Sequence, residues 1–196
     1  MGKPCYSHLR KRVFLTLLLF STAIWISGSG TSMAAPLASP AGTDGYLPYF
    51  YYIFTAGSSL HSADYTMRQD YQPGACVSAV DTGNQFFTLN LNLPDGARID
   101  YLRLYYYDTD AGTGTANIRK YDGAGGYIQI ATVGSAGSTG YGTTLSAYVG
   151  HVVNNSNGGY VLNWLPSVAS TSMQLCGLRV AYRLPAKQIF IPLVTR

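Results

Sequence analysis

Residues 86–108, FFTLNLNLPDGARIDYLRLYYYD, decide the fold. In the first half Phe87, Leu89, Leu91 and Leu93 alternate with Thr88, Asn90 and Asn92, a period of two that an extended strand turns into one apolar and one wet face. Burying each of those four side chains contributes roughly 1.5–3 kcal/mol, enough to hold the strand against a one-residue slip. Pro94, Asp95 and Gly96 then break the pattern with turn chemistry. In the second half Leu102, Leu104 and Tyr106 share one face, while Tyr101, Arg103, Tyr105 and Tyr107 share the other. That second face is aromatic where a solvent-facing strand is ordinarily polar.

The same short-period pattern extends in both directions. Strands are expected over residues 49–55, 75–80, 116–121, 127–133, 141–149, briefly at Val152 or Val153, and over 160–165 and 173–184. Glycine-rich turns at 112–114, 122–126, 134–142 and 154–159 separate them. Residues 56–74 read as an irregular connection with one short edge strand near 64–67. No segment sustains an apolar repeat of 3.6 residues. The chain contains no glutamate, while Tyr, Gly, Ser, Thr and Asn are abundant, a composition that disfavours helices. The expected fold is all-β, an antiparallel β-sandwich of jelly-roll or Greek-key type preceded by a signal peptide.

The signal is read from residues 1–34. Lys3, Arg10, Lys11 and Arg12 form a basic start, residues 13–26 are almost wholly apolar, and residues 27–35 are small and polar. Ser32 and Ala34 supply the small side chains that precede a cut before Ala35. The apolar run falls short of the roughly 18–20 residues of a spanning helix, so cleavage is expected ahead of retention as an anchor, and no membrane span remains after it. Residues 35–48, with three prolines, read as a linker; the β-sandwich domain is expected over 49–185, and residues 186–196 as a tail or edge strand.

Four of the thirteen Lys and Arg residues lie in the signal, so nine remain against nine acidic residues. The basicity of the whole chain is thus no ground for a nucleic-acid partner. A neutral, sparsely charged surface favours association instead. Cys5 lies in the signal as well, leaving Cys76 and Cys176, a pair that an oxidising compartment would join. Closing a loop of about 100 residues stabilises by roughly 4–5 kcal/mol in the chain-entropy model. The alternative is two separate buried thiols. In the last strand Cys176, Leu178, Val180 and Tyr182 fall on one face, which places Cys176 toward the core.

The succession FTLNLNLPDGARIDYLRLYYYD, a glycine-rich hairpin, YVLNW and LCGLRVAYRLP resembles a loose set of exported bacterial β-sandwich (jelly-roll-like) proteins without assigned function. The resemblance covers about residues 76–184 and implies an architecture. It carries no site residues with it.

Candidate chemistry is sparse. Asp108 and Asp110, followed by Gly112, Gly114 and Asn117, begin as a calcium loop does, with Asp122 and backbone carbonyls as further ligands, but lack a closing Glu. A turn between strands explains the same residues. His61 and Asp64 are too few for a zinc centre, and His151 has no partner identifiable in sequence. No Ser stands in a Gly-x-Ser-x-Gly elbow, and residues 134–140 lack the Gly-Lys-Ser ending of a phosphate loop. A hydrolase would have to use aspartates alone.

The aromatic residues are the feature with functional content. Tyr101, Arg103, Tyr105 and Tyr107, with Trp164, are the candidate binding residues, since rings on a strand face offer apolar area with a polar tip to a sugar or a protein partner. The alternative is a second packed layer. The expected function is a secreted, non-catalytic β-sandwich acting at the cell surface or outside the cell, through self-association or contact with surface material. A polysaccharide-binding module using the tyrosine face is the alternative.

Overall fold

The computed structural model describes residues 44–64, 67–81, 86–137 and 140–186. The expected signal, most of the expected linker and the apolar stretch 189–194 lie outside them. Among the described residues no helix is long and apolar enough to cross a membrane. The described residues form twelve strands in chain order: β1 Tyr51–Ala56, β2 His61–Ser62, β3 Gln69–Gln72, β4 Cys76–Ala79, β5 Phe87–Asn90, β6 Arg98–Asp108, β7 Thr115–Tyr121, β8 Tyr127–Gly134, β9 Gly140–Leu145, β10 His151–Val152, β11 Gly159–Leu165 and β12 Met173–Arg183.

They form two antiparallel sheets, an antiparallel β-sandwich. The first has the order β10-β6-β12-β4-β3, with β1 also paired to β12 and β9 to β6. The second has the order β2-β5-β11-β7-β8. Phe87, Ile118, Leu162 and Trp164 from the second sheet meet Leu102, Leu104, Leu175, Leu178 and Val180 from the first in one core.

The apolar face of the opening stretch is in that core. Phe87, Leu91 and Leu93 are buried and Leu89 packs against them, although only Phe87–Asn90 is strand. Pro94 to Ala97 turn sharply, with Gly96 at φ 75° and the Ala97 N–H donating to the Pro94 carbonyl. The turn does not make a hairpin: β5 pairs with β2 and β11, whereas β6 pairs with β9, β10 and β12. It hands the chain from one sheet to the other.

Local detail departs from the expectations. The edge strand expected near 64–67 lies partly outside the described residues, between β2 and β3. Residues 44–48, from the stretch expected as linker, touch the segment after β12: Tyr46 bridges Pro185 and the Leu47 N–H donates to the Leu184 carbonyl. Cys176 does not share the core face of β12. A bulge between Leu175 and Gly177 gives the inward position to Leu175 and leaves Cys176 half-buried. From there Cys176 is joined to buried Cys76, tying β12 to its neighbour β4.

A second bulge, between Ala181 and Tyr182, leaves Asp100 of β6 without a cross-strand partner. Asp100 is wholly buried, and its two oxygens accept from Arg98 Nε at 2.8 Å and Arg183 Nε at 2.6 Å. Asp44 closes the group, taking Arg98 Nη1 at 2.8 Å and Arg183 Nη2 at 3.4 Å. Two guanidinium groups and two carboxylates balance, and a buried charge without such a balance is costly.

Candidate functional site

The outward face of the first sheet can be read row by row from its pairings. β1, β12, β6 and β9 lie side by side there, and every second residue points away from the core. One row crosses Tyr52, Ala181 and Tyr101; the next crosses Phe54, Arg179, Arg103 and Leu145; the next crosses Ala56, Gly177, Tyr105 and Thr143. Beyond the bulge, Gln174, Tyr107 and Tyr141 form the last row. Tyr101, Arg103, Tyr105 and Tyr107 therefore do stand together on one surface, each half-buried.

Their rings are held by other rings. Tyr101 packs between Phe50 and Tyr148, Tyr105 meets Phe54 edge to face at 5.5 Å, and Tyr107 meets Tyr141 at 4.9 Å. These geometries add to area burial and fix ring orientation. Phe54 lies against Gly177, where any side chain would occupy the same space. The outermost rings face water: Tyr52 is 54% exposed, Phe54 57% and Tyr141 71%. So the surface is both a second aromatic layer, in its tyrosines from β6, and an open platform, in the rings that rest on them.

Two arginines cross this platform. The Arg179 guanidinium lies 4.8 Å from the Tyr52 ring centre and 5.9 Å from that of Tyr105. Arg103 donates from Nη1 to Thr143 Oγ1 at 2.9 Å. Between them is a cleft of about 110 Å³ lined by Phe50, Tyr52, Tyr101, Arg103, Leu145, Arg179 and Ala181.

Trp164 is not on this surface. It belongs to β11 of the other sheet, is 1% exposed, and its ring packs on Phe87 in the core. Its companions by alternation, Tyr160 and Leu162, are buried with it. Arg179, Tyr52, Phe54 and Tyr141 were missed in the sequence. Period two in 49–55 was the available signal for Tyr52 and Phe54, and the alternation of Arg179 with Leu178 and Val180 was the signal for the arginine.

The calcium set is not assembled. Asp108 is wholly buried at the end of β6, where it accepts from the Asp110 N–H at 2.9 Å and from the Ser135 hydroxyl. Asp110 accepts from the Gly112 N–H at 2.8 Å, a loop stapled by its own side chains. Asn117 belongs to the second sheet, and its carbonyl oxygen accepts from Asn163 Nδ2. Asp122 accepts from Ala124 and Gly126 N–H groups within its own turn. Among the described residues no three His, Cys or Asp side chains are gathered as metal ligands.

His151 has a partner after all. Its Nε2 lies 2.9 Å from the Tyr160 hydroxyl, which also accepts from the Asn154 N–H. Burial, and then the positive charge of Lys120, hold the imidazole below its ordinary pKa. In the ionic group, the hydrogen bond from Arg98 holds the Asp44 carboxyl below the usual range against its partial desolvation.

No family model matches the chain, and no curated protein matches it. Solved structures do. The C-terminal CBM6 of the marine laminarinase LamC from Zobellia galactanivorans is 14% identical with a TM-score of 0.43, over 66% of this chain and 98% of that one. An exo-β-1,3-galactanase from Phanerochaete chrysosporium is 13% identical with a TM-score of 0.40, and the match spans 66% of this chain but only 29% of that enzyme. The capsid asymmetric unit of cyanophage Pam1 is 18% identical with a TM-score of 0.41, over 81% and 99% of the two chains. A sugar-binding module, an enzyme and a capsid share this likeness, which assigns no ligand or activity to the present chain.

Proposed function

We propose that this chain is a non-catalytic, exported binding protein whose outer first-sheet face takes polysaccharide. The observation that carries the reading is the set of exposed rings on one sheet face, Phe54 against Tyr105, Tyr141 against Tyr107, and Tyr52 against Phe50 and Arg179. Rings already fixed by their neighbours lose little freedom when a flat sugar ring stacks on them. Catalysis is disfavoured by the aspartates themselves. Asp44 and Asp100 share Arg98 and Arg183, and the pKa of Asp44 is lowered, where a general acid needs one raised.

The test is a glycan array with the purified protein, followed by affinity electrophoresis of Phe54→Ala, Tyr105→Ala and Tyr107→Ala in gels containing the best hit. Loss of retardation in folded variants is expected. An array without hits would overturn the reading.

Self-association is the second reading, favoured by a different surface. β8 is the outer strand of the second sheet and carries Ile128 58% exposed beside exposed Tyr127. An apolar edge strand invites pairing with another chain. Sedimentation at high concentration tests it: a dimer that Ile128→Lys dissociates supports it, and a strict monomer removes it.

A further inference from the structure

We propose that the platform selects an acidic glycan, and that Arg103 and Arg179 read its oxyanion. This rests on the polysaccharide reading above and adds the ligand's charge to it.

β6 and β12 set two arginine pairs directly across from one another: Arg183 faces Arg98, and Arg179 faces Arg103. Side chains so placed start from Cβ atoms about 4.5–5.5 Å apart, and like charges there repel. The first pair is neutralised within the chain by Asp100 and Asp44. The second pair is not. All nine acidic residues of the chain are among the described ones, and none forms an ion pair with Arg103 or Arg179. The same two strands thus carry one arginine pair with its carboxylates built in and one without.

What the second pair does have leaves its donors available. Arg179 lies over the Tyr52 and Tyr105 rings, and rings accept no hydrogen bond of the strength that carboxylate and sulfate oxygens offer its N–H fork. Arg103 gives Nη1 to Thr143, and among the described residues its buried Nε has no hydrogen-bond partner. Both arginines line the cleft of about 110 Å³. That is the room of a few water molecules. It admits a carboxylate or sulfate substituent and leaves the sugar ring outside, against Tyr52 and Phe54. An oxyanion bound there would play for Arg103 and Arg179 the part that Asp44 and Asp100 play for the first pair.

Affinity electrophoresis of the protein in polygalacturonate, in the same polymer with its carboxyl groups reduced to alcohols, and in a sulfated galactan tests this. Retardation is expected in at least one anionic gel, and comparison of the two says which oxyanion is preferred. The reduced polymer should bind at least about tenfold more weakly, as should Arg179→Gln and Arg103→Gln in the anionic gel, for loss of charge-assisted hydrogen bonds. Equal retardation by the charged and reduced polymers, unchanged in both variants, would overturn the inference and leave the polysaccharide reading standing. Anionic binding that survives the double variant would also overturn it, by placing the charge recognition elsewhere. Folded protein that binds no polymer and no arrayed glycan would remove both readings together.

Discussion

Arg183 and Asp100 are bonded through Nε and Oδ2 at 2.6 Å, 83 residues apart in sequence, with the carboxylate wholly buried. Asp100→Asn keeps the shape and removes the charge, so Arg98 and Arg183 lose the carboxylate they share inside the domain. Removing one member of a buried ion group costs about 3–5 kcal/mol. Urea denaturation of the variant should show that loss as a lower midpoint at unchanged slope.

Asp44 gives the same group a pH signature. Its carboxyl titrates below its unfolded value, so its stabilising effect is complete above about pH 4 and is lost as the pH falls through the lower, folded value. Asp44→Asn should lower stability at pH 7 and flatten the acid limb below pH 4. Melting temperatures measured from pH 2 to 7 check both.

His151 works in the opposite chemical sense. The folded imidazole titrates below 6.5, so the unfolded chain takes up a proton that the folded one refuses. Stability is then complete above about pH 6.5 and falls as the pH drops from there toward the folded value. His151→Gln should remove this fall while retaining a polar contact for the Tyr160 hydroxyl. Melting curves between pH 5 and 7.5 would show a flatter profile in the variant.

The Cys76–Cys176 link closes a loop of 100 residues between neighbouring strands. Replacing both residues with Ser should cost about 4–5 kcal/mol by the loop-closure estimate. The reduced protein should denature at the midpoint of the variant, and both below the oxidised protein.

Gly177 seats a ring of the platform. A Cβ there would come 2.7 Å from Phe54 Cζ, so Gly177→Ala must push the ring aside. The ring is exposed and free to move outward, so the change should cost little stability while displacing Phe54 from Tyr105. The variant should remain folded by its melting curve and lose retardation in polysaccharide gels.

The β-sandwich itself was legible because a period of two is a local property: Phe87, Leu91, Leu93, Leu102 and Leu104 are all buried as their alternation requires. The cysteine pairing followed from there being only two candidates beyond the expected signal. The bulges at Cys176 and Asp100 were not legible, since each is defined by what the partner strand does, and one extra residue reverses every later side chain. That is why Cys176 was assigned to the core. The arginine and aspartate cluster was invisible for a related reason, its members coming from positions 44, 98, 100 and 183. Trp164 is a different case. Its alternation with Tyr160 and Leu162 already pointed inward, and aromatic character alone was a poor guide to exposure.

β12 is the partner common to β1, β4 and β6, three strands that lie far earlier in the chain. During synthesis the earlier strands emerge first and have no shared neighbour to pair with until Met173–Arg183 has been made. Completion of the first sheet is therefore a late event that closes long loops in a single step, and such topologies fold slowly. A chain truncated before residue 173 would leave the edges of β1, β4 and β6 open together, the condition under which unfinished sheets aggregate.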